Sequence, residues 1–221
     1  MSGSDLVLVG KPLSTFTRTM RMAFAYLDVA YGFEETFPHS ELAYKYNPFG
    51  RIPSIIHKGR VVYETAAIRR YIDATFSSRL TPSNLDAALK VDQLISILSD
   101  YVFHHIIFGF AKPRIDLESK GISEEEIQKR LEKPLKTSLS ILKTLDSVIS
   151  DTEFLCGSEI TWADYFVYPP LADIYSLPEV HVFAESAPKL YAWFEKFQNR
   201  PEVKETYPDT VADMRQKQSS L

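Results

Sequence analysis

Apolar and polar positions along the chain follow two different rhythms. LVLVG (6–10) is a short apolar run stopped by Gly10, Lys11 and Pro12, which predicts a strand. TRTMRMAFAYLD (17–28) puts Met20, Phe24 and Leu27 on one face with arginines among them, an amphipathic helix. A second strand falls near residues 33–37, followed by a short helix at about 41–46. PSIIHKGRVVY (53–63) reads as a hairpin turning at Lys58 and Gly59. ETAAIRRYIDATF (64–76) is a helix with Ala67, Ile68, Tyr71 and Ile72 facing inward. The order βαβαββα predicts a mixed sheet of four strands, a parallel βαβ unit followed by an antiparallel hairpin.

From Pro82 onward strand signals nearly vanish. Residues 85–110 and 123–149 carry long helical patterns, the second kinked at Pro134. TWADYFVYPPLADIY (161–175) opens on a capping box from Thr161 to Asp164. The helix at 187–199 takes Ser186 as N-cap and Pro188 in its first turn, and the polar last dozen residues are expected to be loose. The fold class is therefore α+β. A domain over residues 1–78 and an all-helical domain over 84–221 are joined by a linker at 77–83.

Composition narrows the function without naming it. Of 221 residues, 45% are hydrophobic and 24% charged, as in soluble globular proteins, and the 13% that are aromatic leave material for an apolar pocket. A net charge of −4 with no basic block argues against a nucleic-acid partner. No apolar run approaches the length of a membrane span, and MSGSDLVLVG lacks the pattern of a signal peptide, so no membrane partner is expected. Cys156 is the single cysteine, which excludes an intrachain disulfide and a cysteine-based metal cluster and suits the cytosol. The adjacent His104 and His105 lack the spacing and the third ligand of a metal site.

Pro53 is the unexpected residue in GRIPSIIH (50–57). Without an N–H it suits an edge, a strand start or a bulge. A cis bond, plausible only before proline, would instead turn the preceding backbone toward a ligand.

Four motifs bear on that choice: GKPLSTFTRTMRM, NPFGRIPSI, VVYETAAIRRYI and SEITWADYFVYPPL. In order and spacing they resemble the cytosolic glutathione S-transferases, serine-type and phi-like. The resemblance spans nearly the whole chain. It implies a thioredoxin-like first domain that binds glutathione and a helical second domain that contributes the electrophile pocket. It makes Pro53 a cis proline, with the Ile52 backbone pairing the cysteinyl backbone of glutathione.

Further roles follow from the same resemblance. Ser14 matches the serine whose hydroxyl donates to the glutathione thiolate, a role Thr15 could also take. The plainer alternative for Ser14 is a helix N-cap or turn serine. Glu64 and Thr65 match the pair that holds the γ-glutamyl ammonium and carboxylate, in the manner of anion binding at a helix N-terminus. Simple helix capping is the plainer alternative. His39 and Arg51 fall where the glycyl carboxylate is held, or are surface residues. Phe16, Tyr101, His104 and Phe108, with His105 and Lys112 nearby, are candidates for an electrophile pocket in the cleft expected between the halves. On an α-helix Tyr101, His104 and Phe108 share a face and His105 points elsewhere, although such stripes are more often core. Phe49 is a candidate plug in a homodimer interface or a buried loop anchor.

The expected activity is conjugation of glutathione, as co-substrate, to small hydrophobic electrophiles, with reduction of organic hydroperoxides a related possibility. The alternative is a non-catalytic glutathione-binding or regulatory module on the same fold. Thiol–disulfide exchange is disfavoured because it calls for cysteine where Ser14 stands.

Overall fold

The computed structural model describes residues 5–219. The chain divides into two compact units: the residues up to Leu85 together with those from Asn199 onward, and Asp86–Gln198. The sequence reading assigns everything after residue 84 to one helical domain; the segment from Asn199 groups with the first unit instead.

The first unit is the expected βαβαββα order: β1 (Leu6–Gly10), α1 (Thr15–Tyr26), β2 (Gly32–Glu35), α2 (Glu41–Tyr46), β3 (Ser54–His57), β4 (Arg60–Tyr63) and α3 (Thr65–Thr75). The strands lie in the order β2-β1-β3-β4, with β1 and β2 parallel and the other pairs antiparallel. Lys58 and Gly59 both adopt positive φ, as a tight two-residue hairpin turn requires.

Strand alternation assigns the faces. Leu6, Leu8 and Gly10 share one face, and a Cβ on Gly10 would lie 2.5 Å from Thr17 Oγ1, so α1 covers that face. His57 and Ile55 stand opposite Leu6 and Leu8, and His57 Nδ1 is 2.8 Å from the Tyr71 hydroxyl of α3, so α3 covers it too. Ile68 and Ile72 of α3 are buried as expected; Ala67 is exposed, because the buried row runs through 68 and 72 only.

The chain end closes this unit. Arg18 of α1, 2% exposed, donates to the Val203 carbonyl at 3.3 Å in α10 (Pro201–Glu205), and its guanidinium lies 5.9 Å from the Tyr207 ring. Val211–Ser219 forms a further helix, α11, rather than a loose tail. Thr210 caps it through the Asp213 N–H, and Asp213 pairs with Lys217 at 2.6 Å.

The second unit is helical: α4 (Leu85–Ile97), a π-helical segment (Leu98–Ala111), α5 (Lys112–Ser119), α6 (Glu124–Val148), α7 (Trp162–Tyr175), α8 (Val180–Ser186) and α9 (Pro188–Phe197). Residues 85–119 run on as one helix long and apolar enough to cross a membrane, a stretch the sequence reading overlooks. Its apolar residues Leu94, Leu98, Val102, Ile106 and Phe110 are buried, which is the pattern of a core helix. Pro134 lies inside an α6 that continues past it. The α9 N-cap is Ala187; Ser186 ends α8, and its hydroxyl donates to the Leu139 carbonyl.

Two polar clusters organise the second unit. The capping box forms as expected, with Asp164 accepting from the N–H groups of Thr161 at 2.8 Å and Leu155 at 2.9 Å. Arg114, 1% exposed, meets Glu118, Glu124 and Glu179 at 3.1, 2.7 and 2.8 Å.

Candidate functional site

The sheet register gathers the predicted glutathione-binding residues at one end. Val9 pairs with Ser54 and Ser54 with Tyr63, while Gly10 pairs with Glu35. The carboxyl ends of β1, β2 and β4 and the amino end of β3 therefore lie side by side, ~5 Å apart from strand to strand. Ser14 follows β1, His39 follows β2, Arg51, Ile52 and Pro53 precede β3, and Glu64 and Thr65 follow β4. Residues up to 51 positions apart in sequence, Ser14 and Thr65, lie at that one end of the sheet. The carboxyl end of parallel strands is also where open sheets bind ligands.

Ser14 is the N-cap of α1, and its hydroxyl oxygen accepts from the Thr17 N–H at 3.4 Å. Capping uses a lone pair and leaves the O–H proton free to donate. The cap and the proposed donor are thus compatible roles for one side chain. Its backbone N–H donates to the Lys11 carbonyl at 3.0 Å, which fixes the loop.

The Ile52–Pro53 peptide bond is cis. Pro53 is buried just ahead of β3, and among the described residues the Ile52 backbone makes no backbone hydrogen bond. An extended peptide could pair there.

Glu64 is exposed and sits at φ 65°, ψ 119°, where a residue with a Cβ is strained. Its side chain makes no cap bond, so the helix-capping alternative does not describe it. The first N–H groups of α3, those of Thr65, Ala66 and Ala67, lack partners within the helix. The arrangement is one exposed carboxylate beside a hydroxyl and a row of amide donors, complementary to an α-amino acid zwitterion.

His39, also at positive φ, is exposed, and its Nδ1 is 3.2 Å from the Tyr44 hydroxyl. Its N–H donates to the Gly50 carbonyl at 2.7 Å, which fastens its loop next to the exposed Arg51. Gly50 is required there: its φ is +61°, and a Cβ would lie 2.7 Å from the Tyr44 ring. Phe49 is 67% exposed, so it is not a buried anchor.

Phe16 is half-buried in α1, within the first unit. Tyr101, His104, His105 and Phe108 are all exposed on the π-helical segment of the second. There Lys112 N–H bonds to the Ile107 carbonyl, five residues back, and burial recurs at 98, 102, 106 and 110. Tyr101, His104, His105 and Phe108 all fall between these buried positions. Lys112 stands 3.9 Å above the Phe108 ring.

Sequence reasoning missed Lys11 and Tyr44. Lys11 pairs with Glu35 at 2.5 Å and sits 3.8 Å over the Phe37 ring, contacts no periodicity signals. Burial, and then the Asp164 carboxylate, push the Cys156 thiol up to about 11, so the protein's own thiol is no nucleophile near neutrality. Among the described residues no group of three or more His, Cys, Asp or Glu is placed to hold a metal ion.

The family model for the glutathione S-transferase N-terminal domain matches residues 8–80, and that for the C-terminal domain matches residues 102–201. The chain belongs to the cytosolic glutathione S-transferase superfamily. It is 27% identical over 199 residues to the hematopoietic prostaglandin D synthase of Mus musculus, covering 84% of this chain and 91% of the relative. It is 28% identical over 212 residues to glutathione S-transferase 3 of Glycine max, covering 93% and 90%. Among solved structures, a glutathione transferase homologue from Drosophila mojavensis with bound glutathione superposes with a TM-score of 0.79 at 20% identity, covering 95% of this chain and 94% of that one.

Proposed function

We propose that the protein is a glutathione transferase that activates the glutathione thiol through Ser14 and conjugates it to small hydrophobic electrophiles. The observation that carries this reading is the convergence of Ser14, Ile52, Glu64 and Thr65 on one sheet edge. Each is matched to a different part of one tripeptide. Glu64 meets the γ-glutamyl ammonium, and Thr65 with the α3 N–H groups meets its carboxylate. The Ile52 backbone pairs the cysteinyl residue, and His39 and Arg51 hold the glycyl carboxylate.

Ser14 acts as a hydrogen-bond donor. The thiol releases its proton to water, and the thiolate, stabilised by the Ser14 O–H and the α1 N-terminus, forms a C–S bond to the electrophilic carbon as the leaving group departs with its electron pair, or as an activated double bond takes up a proton from water. Lowering a thiol from ~8.5 by ~2 units requires ~2.7 kcal/mol of preference for the thiolate. A charge-assisted hydrogen bond contributes ~1.5–3 kcal/mol and a helix N-terminus ~0.3–1 kcal/mol, so the two suffice. Thr15, the first residue of α1, is the second candidate donor. Phe16, Tyr101, His104 and Phe108 are proposed to contact the electrophile. In the related activity the same thiolate attacks a peroxide oxygen of an organic hydroperoxide, breaking the O–O bond and releasing the alcohol, and a second glutathione converts the resulting sulfenic acid to glutathione disulfide and water.

The proposal includes a cytosolic homodimer, with the exposed Phe49 as an interface residue. Retention on immobilised glutathione, then turnover against a panel of electrophiles and hydroperoxides, tests the reading. Retention without turnover of any member would favour the non-catalytic binding module, and no retention would remove both. Sedimentation showing only a monomer at micromolar concentration would remove the dimer.

A further inference from the structure

Lys11 adds a side-chain tie between two loops whose bases the backbone already joins, through the pairing of Gly10 with Glu35 and the Thr36 N–H to Gly10 carbonyl bond of 2.8 Å. Its carbonyl accepts from the Ser14 N–H at 3.0 Å, so its backbone belongs to the serine loop. Its ammonium is 2.5 Å from Glu35 Oε1, at the end of β2, and 3.8 Å over the Phe37 ring in the next loop. The lysine side chain is only 19% exposed. Phe37 is 58% exposed, so burial does not hold it; the cation over its face does.

The ties continue through that second loop. Ser40 N–H donates to the Phe37 carbonyl at 3.3 Å, and the Thr36 and Ser40 hydroxyls are 2.6 Å apart. His39 then donates to Gly50 at 2.7 Å. One unbroken path therefore runs from Ser14 through Lys11 and Phe37 to His39 and Arg51.

On the reading above, Ser14 receives the sulfur of a tripeptide and His39 with Arg51 its far carboxylate. Those two points are a fixed number of bonds apart in the ligand. We infer that Lys11 is a positioning residue that sets the distance between the thiol end and the glycyl end of the glutathione site, without touching the reacting atoms. This role rests on the proposed glutathione site.

The inference makes a demand that general destabilisation does not. A ligand spanning both ends should feel the loss of Lys11, and a ligand lacking the glycyl end should not. Binding of glutathione and of γ-glutamylcysteine, which lacks the glycine, is measured by calorimetry for wild type, Lys11→Met, Lys11→Arg and Glu35→Gln. Lys11→Met should weaken glutathione binding by about three- to ten-fold, the size of one exposed ion pair plus a cation–π contact. It should leave γ-glutamylcysteine within about two-fold and the bound thiol's pKa in place. Lys11→Arg, which keeps the charge, should recover most of the affinity. Lys11→Met combined with His39→Ala should be non-additive, because both act on the same end.

Equal losses for both peptides, or an unchanged glutathione affinity in Lys11→Met, would overturn the role. So would a bound thiol pKa raised by about one unit, which would put the ammonium on the sulfur itself. Glu35→Gln breaks the pair from the other side and carries the same expectation if Lys11→Met does not fold. Wild-type protein that binds neither peptide removes the glutathione reading itself; binding of both without the selective loss removes only Lys11.

Discussion

Replacing Ser14 by alanine perturbs two things that the structure allows to be separated. The hydroxyl caps α1 through a Thr17 N–H bond of 3.4 Å, at the long end for a hydrogen bond. Losing it should cost ~0.5–1 kcal/mol, the low end of N-cap effects, and lower the melting temperature by ~1–4 °C for a chain of this size. Losing the donor to the thiolate removes ~1.5–3 kcal/mol but leaves the helix N-terminus. The bound thiol should therefore rise by ~1–2 pKa units. Ser14→Gly splits the effects: glycine is a tolerable N-cap, costing a few tenths of a kcal/mol, yet it donates nothing. Ser14→Thr keeps both functions, and Thr15→Val removes the competing donor. Ultraviolet thiolate absorbance of bound glutathione, titrated across pH, gives the midpoints, and thermal melts without ligand give the stability. The expected pattern is a raised midpoint in both Ala and Gly variants, with a melting shift only in Ala. Midpoints identical to wild type in both would remove Ser14 from the mechanism and leave it a cap.

Glu64→Ala should weaken glutathione binding ten-fold or more (~1.4 kcal/mol per decade) with little change in ligand-free melting, since the exposed carboxylate makes no cap bond. Glu64→Gly should lose the same affinity yet raise ligand-free stability by ~0.5–1 kcal/mol, because glycine relieves the positive φ; a destabilised glycine variant in chemical denaturation would refute that account. Burial pushes the Asp164 carboxyl up to about 6 from an ordinary 3.8. The folded state thus holds a proton the unfolded chain releases between these values, so this component of stability falls as pH rises through that window and is flat above it. Asp164→Asn should abolish that slope in urea melts, and an identical slope would refute the assignment. Arg114→Ala should cost ~3–5 kcal/mol by leaving a cluster of carboxylates unmatched; thermal denaturation checks it, and a loss under ~1 kcal/mol would mean the cluster behaves as surface charge.

The sheet and its order were legible because short apolar runs bounded by Gly, Pro and Lys-Gly leave few alternatives to a strand. The Thr161–Asp164 box was legible because capping is a local device with a fixed spacing. What escaped the sequence was non-local or rested on an unusual local geometry. The π-helical segment keeps an α-like pattern of apolar residues, so its hydrogen-bond register is something periodicity cannot distinguish. Residues 201–205 and 211–219 are largely polar yet helical, and the first of these helices takes a hydrogen bond from a buried arginine 185 positions upstream of Val203. In the candidate site, Ser14, Pro53 and Glu64 carried motif signals. Lys11 did not, because its importance comes from the parallel register of β1 and β2, which places Glu35 beside Gly10.

The Arg18–Val203 hydrogen bond links residues 185 positions apart. During synthesis the strands and first helices of that unit emerge early but wait for nearly the whole chain before their last layer arrives. Asp86–Gln198, by contrast, is contiguous in sequence and can consolidate in the interval. Contacts of such long sequence separation slow folding and leave intermediates with exposed apolar surface. A chain truncated at residue 198 would present that early stage permanently, without the Val203 carbonyl that Arg18 donates to. Its solubility during expression would measure how much chaperone protection the nascent chain needs.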